Sequence, residues 1–380
     1  MSPPRRPRAR QQRGRSHVGE RFEAEVGPVA HGGHCVARVP TGSAGDETRV
    51  VFVRHALPGE RVVVEITEGT EGDRFWRGDA VEIVSPSPDR VAPPCPYAGP
   101  GLCGGCDFQH VSLAAQRGLK AEVVREQLRR LARLDVEVTV EPVPGDQEGL
   151  GWRTRQRYVT LPDGGRGMRK HRSHEVVPVD ECLLESAVGP SYEVRGTSFA
   201  VADGGFWQVH PGAPEALVGA VLEALAPRPG EAALDLYAGV GLFSRFLLDA
   251  VGAGHAGGRV CAVEGDAAAV RLARRNCPGL RATAGDVGAV LATEYDEPFD
   301  LVVLDPPRVG AKRKVVEQVV DRRPRAVAYV ACDPAALARD VAIFGEHGYR
   351  LVSLRAFDLF PMTHHVECVA LLEKTGSDLR

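Results

Sequence analysis

Residues Ala233-Leu-Asp-Leu-Tyr237, followed by Ala238-Gly-Val-Gly241 and an apolar helical pattern from Leu242 to Leu248, decide the fold of this chain. A short apolar run that ends in a glycine turn and leads straight into a helix is one strand–turn–helix unit. The unit recurs. Arg259-Val-Cys-Ala-Val263 ends at Glu264, Leu280 to Ala284 ends near Asp286, and Phe299 to Leu304 ends at Asp305. Arg325-Ala-Val-Ala-Tyr-Val330 runs through Ala331-Cys332-Asp333-Pro334 into the helical pattern Ala335 to Asp340. With a helix over Pro214 to Ala226 and last strands around Arg350–Arg355 and Val366–Leu372, residues 206–375 predict a doubly wound, mostly parallel α/β sheet.

Such sheets place their chemistry at the carboxyl ends of the strands. Cys332 sits at one of these ends, beside a helix N-terminus, where unpaired N–H groups are expected to favour its thiolate and make it a nucleophile. Gly239-x-Gly241 invites a dinucleotide reading, but Ser244 occupies the place of the third glycine. Glu264, at the second strand end, is placed to accept both hydroxyls of a ribose, and Asp286 stands at the third strand end.

The chain has 380 residues, 43% of them hydrophobic, enough to bury two or three domain cores. A net charge of −3 excludes a uniformly basic nucleic-acid binder but leaves room for local patches. Residues 1–16 carry six arginines from Arg5 to Arg15 and no acid, and predict a disordered basic tail able to help hold a polyanion. No apolar run is long enough for a membrane helix and no signal-peptide core is present, so a cytoplasmic protein without a membrane partner is expected. In a reducing compartment, nine cysteines point to ligands or catalysts rather than to a disulfide framework.

Residues 17–86 alternate short β-rich runs with glycine and acidic turns: Phe22–Val26, Cys35–Val39, Arg49–Val53, Arg61–Ile66 and Asp79–Val84. Five strands in so short a stretch predict a small OB-like closed barrel. After the proline-rich linker at Pro86–Pro94, residues 87–205 form an expected central α+β domain with Cys95-x7-Cys103-Gly-Gly-Cys106. Cys182 supplies a fourth cysteine. Four thiolates fit tetrahedral zinc or a four-iron, four-sulfur cluster, and one lone cysteine closing the set favours iron–sulfur. Ser112 to Leu134 reads as an amphipathic helix with Leu113, Leu119, Val123, Leu128 and Leu131 on one side and basic residues on the other. The run Arg153, Arg155, Arg157, Arg166, Arg169, Lys170, His171 and Arg172, interleaved with Trp152, Tyr158 and Met168, is the internal candidate for gripping RNA phosphates and stacking a base.

Several of these motifs carry a family resemblance. Gly32-Gly33, Ala37-Arg38, Phe52-Val53 and Pro58-Gly59-Glu60 resemble a TRAM domain, an RNA-binding barrel of RNA-modifying enzymes. Asp235-Leu-Tyr-Ala-Gly-Val-Gly241 resembles the cofactor turn of class I methyltransferases, which bind S-adenosylmethionine. Asp305-Pro-Pro-Arg308, Cys332-Asp-Pro334 and Thr363-His-His-Val-Glu367, together with Phe206-x-Gln208 and the four cysteines, resemble the RNA uracil-C5 methyltransferases of the bacterial 23S rRNA group. An aromatic residue in place of Arg308 would suggest methylation of an exocyclic amine. A second cysteine in the proline motif would suggest cytosine, and this chain has none there.

The resemblance implies that Cys332 is the nucleophile and Glu367 the base. It places Gln208, Tyr237, Gly239, Glu264, Asp286 and Asp305 around S-adenosylmethionine, and Cys95, Cys103, Cys106 and Cys182 around a 4Fe–4S cluster. The substrate it implies is RNA, ribosomal rather than transfer RNA because of the accessory domains, and the enzyme is expected to be a monomer. The chain departs at Leu242, where relatives often carry a cofactor-contacting Asn, and at the first cysteine spacing, x7 where x5 is usual. The alternatives are a tRNA uridine methyltransferase and a non-catalytic RNA-binding iron–sulfur protein. An intact Cys332 and Glu367 argue against the second. A radical methylthiolation enzyme would need a C-x3-C-x2-C triplet, which these cysteines do not form.

Overall fold

The computed structural model describes residues 14–41, 47–252 and 257–376, so most of the expected basic tail lies outside the described residues. The chain gathers into two compact units, Met1–Ser112 with Val159–Asp180 and Leu113–Tyr158 with Glu181–Arg380. The first holds a closed barrel of β1 (Arg21–Ala30), β2 (His34–Thr41), β3 (Glu47–Arg54), β4 (Arg61–Glu68) and β5 (Phe75–Ser85), in the order β1-β2-β3-β5-β4. Alternation builds it: Val62, Val64 and Ile66 of β4 point inward and are buried, while Val63 and Glu65 between them and Arg61 and Thr67 beside them are less so. Glu60 is wholly buried where β4 begins, and its carboxylate accepts from Arg90 at 2.6 Å on both oxygens and from the Leu57 N–H at 2.8 Å. Those bonds satisfy a charge that would otherwise be costly to bury.

The second unit opens with α1 (Leu113–Gln127), which continues as a π-helical turn to Ala132, and with the short β6 (Val140–Pro142). The chain returns to the barrel unit for a three-stranded sheet of β7 (Val159–Thr160), β8 (Arg166–Arg169) and β9 (Val176–Pro178). It then enters the sheet unit for good with the hairpin β10 (Glu193–Val194) and β11 (Thr197–Ser198). There follow α2 (Ala213–Leu225), β12 (Ala232–Leu236), α3 (Leu242–Ala250), β13 (Arg259–Glu264), α4 (Ala267–Asn276), β14 (Arg281–Ala284) and α5 (Val287–Val290). The chain ends with β15 (Leu301–Leu304), α6 (Lys312–Asp321), β16 (Ala326–Ala331), α7 (Pro334–Glu346), β17 (Tyr349–Asp358) and β18 (Glu367–Lys374).

The large sheet has the order β14-β13-β12-β15-β16-β18-β17-β6, parallel from β14 to β16, with β18 antiparallel to both its neighbours. Its strands bury both faces. Ala233, Val260, Val303 and Ala328 pack with α2, α3 and α4, whereas Leu234, Val263, Leu304 and Tyr329 pack with α1, α6 and α7. The order turns back at β12, whose neighbours β13 and β15 are reached by connections leading to opposite sides. That is the crevice where open sheets bind ligands.

The separate central domain expected over 87–205 is not how the chain divides. Ala121, Val124 and Leu128 of α1 belong to the core of the large sheet, which draws 113–158 into that unit. The cysteine loop instead joins β8, with the Gly104 N–H donating to the Arg169 carbonyl at 2.9 Å. Nor is α1 basic on its outer side alone. Gln116 and Lys120 are buried, at 0% and 1% exposure.

Candidate active site

The glycine turn after β12 is built from backbone that few residues adopt. Tyr237, Gly239 and Gly241 have φ of +65°, +55° and +90°. A side chain at Gly241 would also place its Cβ 2.8 Å from the Cys277 sulfur. Within the turn, the N–H groups of Tyr237 and Ala238 donate to the Val263 carbonyl at 2.9 and 3.1 Å. Glu264 closes it: one carboxylate oxygen accepts from the Gly239 N–H at 2.9 Å and the other from the Asp266 N–H at 2.8 Å. Each oxygen keeps a lone pair for a ligand. Behind the turn Asp235 is fully buried, accepts from the Ser244 hydroxyl at 2.6 Å, and leaves its other oxygen without a partner. Burial first, then the nearby Glu264 charge, push its carboxyl up to about 7.

This turn forms one wall of a cavity of about 710 Å³ in the sheet unit. Gln208, Tyr237, Gly239, Glu264, Asp286 and Asp305 all line it, and so do Cys332 and Glu367. Parallel ladders bring them there, because Leu236 pairs with Val263 and Leu304, and Leu304 pairs with Tyr329, so the following residues emerge along one edge. Glu367 enters from the antiparallel side, where Ala331 faces Cys368. Asp286 is exposed and caps α5, accepting from the Ala289 N–H at 3.0 Å. Leu242 lies outside this lining, packed in the core as the first residue of α3.

The electrostatics at Cys332 differ from expectation. At the start of α7 the Asp333 carboxylate accepts from the Ala336 N–H at 2.7 Å, so a second negative charge competes there with the thiolate. Burial pushes the Cys332 thiol up to about 12, the Glu367 charge adds to that, and Arg308 opposes it. Glu367 is 4% exposed, and burial raises its carboxyl well above the ordinary carboxylate range, with Asp305 adding and Arg308 opposing. Asp305 is itself held up at about 7 by burial, then by Asp235 and Glu264. Two acids and a thiol of the cavity, Asp305, Glu367 and Cys332, thus share a low-dielectric site, which favours their protonated forms.

Sequence reasoning assigned no contact to several residues of the lining. Arg308 donates to His365 Nε2 at 3.2 Å, Phe360 lies edge-on to the His365 ring at 5.9 Å, and Phe206 stands at the cavity with 66% exposure. An exposed aromatic two residues before Gln208 was the available signal for the last. The basic run divides between the units. Trp152 is wholly buried and unable to stack a base, and Arg155 donates to the carbonyls of Gly204 and Gly205. In the barrel unit Arg54, Arg77, Lys170, His171 and Arg172 line a groove of about 430 Å³ with His34 and Phe52.

The expected four-cysteine ligand set is not assembled: among the described residues no group of three or more His, Cys, Asp or Glu side chains is arranged to hold a metal ion. Cys95, Cys103 and Cys106 lie in a loop of the barrel unit, and Cys182 belongs to the sheet unit. Turn hydrogen bonds shape that loop, with Cys103 N–H donating to the Tyr97 carbonyl at 3.0 Å. The sulfurs of Cys103 and Cys106 accept from the Gly105 N–H at 3.4 Å and the Gln109 amide at 3.3 Å. All nine cysteines are free thiols. Among the described residues no helix is long and apolar enough to cross a membrane.

Comparison with known proteins matches residues 15–81 to the TRAM domain and residues 289–375 to the tRNA (Uracil-5-)-methyltransferase family. A Streptomyces avermitilis protein described as an uncharacterized RNA methyltransferase is 45% identical over 95% of this chain and 100% of its own length. The 23S rRNA (uracil(1939)-C(5))-methyltransferase RlmD of a Shewanella species is 30% identical over 90% of this chain and 94% of its own. Among solved structures, Pyrococcus abyssi tRNA (uracil-54, C5)-methyltransferase in complex with S-adenosyl-L-homocysteine has the same fold, with a TM-score of 0.67 at 20% identity over 92% of this chain and 100% of that one.

Proposed function

We propose that this chain, which belongs to the RNA uracil-C5 methyltransferase family, directs its S-adenosylmethionine-dependent methylation to a uridine of 23S ribosomal RNA. The ribosomal choice rests on the TRAM barrel and on the whole-length relative named for 23S rRNA. The observation that carries the site assignment is the meeting of Cys332 and Glu367 with the glycine turn and three strand-end acids in one cavity. Mass spectrometry of both RNAs from a deletion strain tests the choice: loss of 5-methyluridine from 23S rRNA is expected, and loss from tRNA alone would contradict it.

The cavity fits the methyl donor. Gly239 and Tyr237 let the backbone approach it, Glu264 and Asp286 take its ribose and adenine ends, and Gln208 and Asp305 lie between it and the base. When bound, S-adenosylmethionine supplies an electrophilic methyl group. Carbon 5 of uracil is too weak a nucleophile to accept it unaided. The Cys332 thiolate adds to carbon 6, and the electron pair displaced from the 5,6 double bond makes carbon 5 an enolate carbon. After transfer, carbon 5 carries both the methyl and its original proton. Glu367 removes that proton, the double bond re-forms, and the thiolate of Cys332 leaves. The base must be unpaired or flipped to reach the thiol.

The raised carboxyl of Glu367 suits a group that must hold a proton on release, and the buried Cys332 thiol must give up its proton before it adds to carbon 6. A monomer is supported because one chain supplies the whole lining. A cytoplasmic location is proposed with it, supported by the RNA substrate of the family. The 4Fe–4S cluster on Cys95, Cys103, Cys106 and Cys182 is a further proposal, supported by the spacing and by N–H donors already directed at two of the sulfurs. It takes no part in methyl transfer. Iron analysis of protein purified without oxygen tests it: about four irons are expected from a cluster of this type, and zinc without iron would contradict it.

A further inference from the structure

The connection from β17 to β18, Leu359 to Val366, brings Phe360 and His365 to the cavity and delivers Glu367 at its end. Helix α1 holds this strap from beneath. Lys120 Nζ donates to Asp358 Oδ1 at 2.5 Å and to the Phe360 carbonyl at 3.0 Å. Gln116 makes a two-way bond one turn earlier: its amide donates to the Met362 sulfur at 3.2 Å, and its carbonyl accepts the Met362 N–H at 2.8 Å. Met362 itself sits at a φ of +65°, a conformation that a non-glycine residue keeps only when its surroundings impose it. The Thr363 hydroxyl closes the turn on the same Phe360 carbonyl at 2.8 Å.

We propose that Lys120 and Gln116 are positioning residues for the proton-abstraction half of the reaction. Neither lines the cavity, so neither touches substrate. Their burial has no obvious stabilising purpose, because a buried ion pair contributes little net stability compared with apolar residues of similar volume. What the pair does is fix geometry. Asp358 directly follows Phe357, whose ladder partner is Glu367, so the Lys120 bond pins the strap beside the base. The nucleophile is held differently. Cys332 follows β16, whose register is set by its ladders to β15 and β18. Loosening the anchor therefore separates the two halves of the chemistry: thiolate addition and methyl transfer continue, whereas proton removal and release slow down.

This inference rests on the assignment of Cys332 and Glu367 above. Its test uses the full-length protein, RNA from a strain lacking this enzyme, and methyl-labelled S-adenosylmethionine, with products run on a denaturing gel at saturating RNA. In Lys120→Met, turnover should fall at least tenfold while a labelled protein–RNA adduct accumulates. Gln116→Leu, which leaves no buried charge unpaired, should do the same more mildly, and it decides the matter if Lys120→Met does not fold. Activity that falls only in proportion to folded protein, with no added adduct, would overturn the inference. Glu367→Gln run alongside separates the two levels. If it traps adduct and the α1 variants do not, the anchoring is wrong; if it does not trap either, the assignment of the base is wrong.

Discussion

The cavity of the sheet unit and the cysteine loop of the barrel unit are held by different kinds of bond. In the cavity, ladder register brings the strand ends together: Leu304 faces Tyr329, Ala331 faces Cys368 and Phe357 faces Glu367, and α1 braces the strap that runs into Glu367. In the loop, Cys95, Cys103 and Cys106 are carried by turns, with single hydrogen bonds to two of the sulfurs. Ladders specify a site in advance. Turns leave room for an ion to impose the geometry, and its binding energy then becomes folding energy. The catalytic site is accordingly expected to be brittle in chemistry, and the cysteine loop brittle in folding.

The largest effect should come from Cys332→Ala, which removes the only thiol in the cavity lining. Methylation should fall by roughly 10⁴-fold or more, on the scale seen when a nucleophile is deleted, while calorimetry still finds S-adenosylmethionine binding. Loss of cofactor binding as well would mean that the cavity is not preformed. Glu264→Ala comes next, since it removes acceptors from both the turn and the ligand. Hydrogen bonds to a charged group are worth about 1.5–3 kcal/mol, so cofactor affinity should weaken by roughly 10- to 100-fold, and an unchanged Kd would contradict the assignment.

In the loop, Cys103→Ala should lower soluble yield and metal content but leave turnover per folded molecule unchanged. A catalytic defect at full yield would reverse the contrast between the two regions. The smallest effect is one of pH. Asp235 and Asp305 are pushed up to about 7 from 3.8, so their contribution to stability is fully present below the unfolded value and is lost as pH rises through 7. His55 and His110 are pushed down from 6.5 to about 3 and about 4 by burial, so theirs is present above 6.5 and is lost as pH falls towards those values. The lowered His210 of the sheet unit works against its acids, as one group against three once the raised Glu367 is included, and the raised Asp79 of the barrel unit works against its two histidines in the same way, as one against two. Acidification from pH 7 to 5 should raise hydrogen-exchange protection in the sheet unit and lower it in the barrel unit, by about 1.4 kcal/mol per pH unit for each responsive group. Equal changes in both would count against these environments.

Much of this could be read from residues alone. Apolar runs ending in Tyr237, Glu264, Asp286 and Asp305 announce a parallel sheet and its binding edge, because that edge is made of consecutive strand ends. The barrel was legible for the same reason: alternation is local. Three features were not. The thiol environment of Cys332 depends on Asp333 capping α7 and on Glu367 arriving from β18, and spacing along the chain encodes neither. Trp152 looked like a stacking platform because burial of an aromatic among arginines cannot be seen from its neighbours in sequence. Lys120 belongs to a helix whose basic residues were expected on the outer side and Gln116 drew no reading, because their partners Asp358 and Met362 lie 238 and 246 residues away in the chain.

The central claim is that Cys332 attacks and Glu367 releases. Glu367→Gln tests it most directly, since the amide fills the same buried position without the ability to take a proton. With labelled S-adenosylmethionine and substrate RNA, a denaturing gel should reveal methylated RNA bound covalently to the protein, and adding Cys332→Ala to the same chain should abolish that band. Normal turnover of Glu367→Gln without an adduct would contradict the account and move the search for the base to His365 and His364.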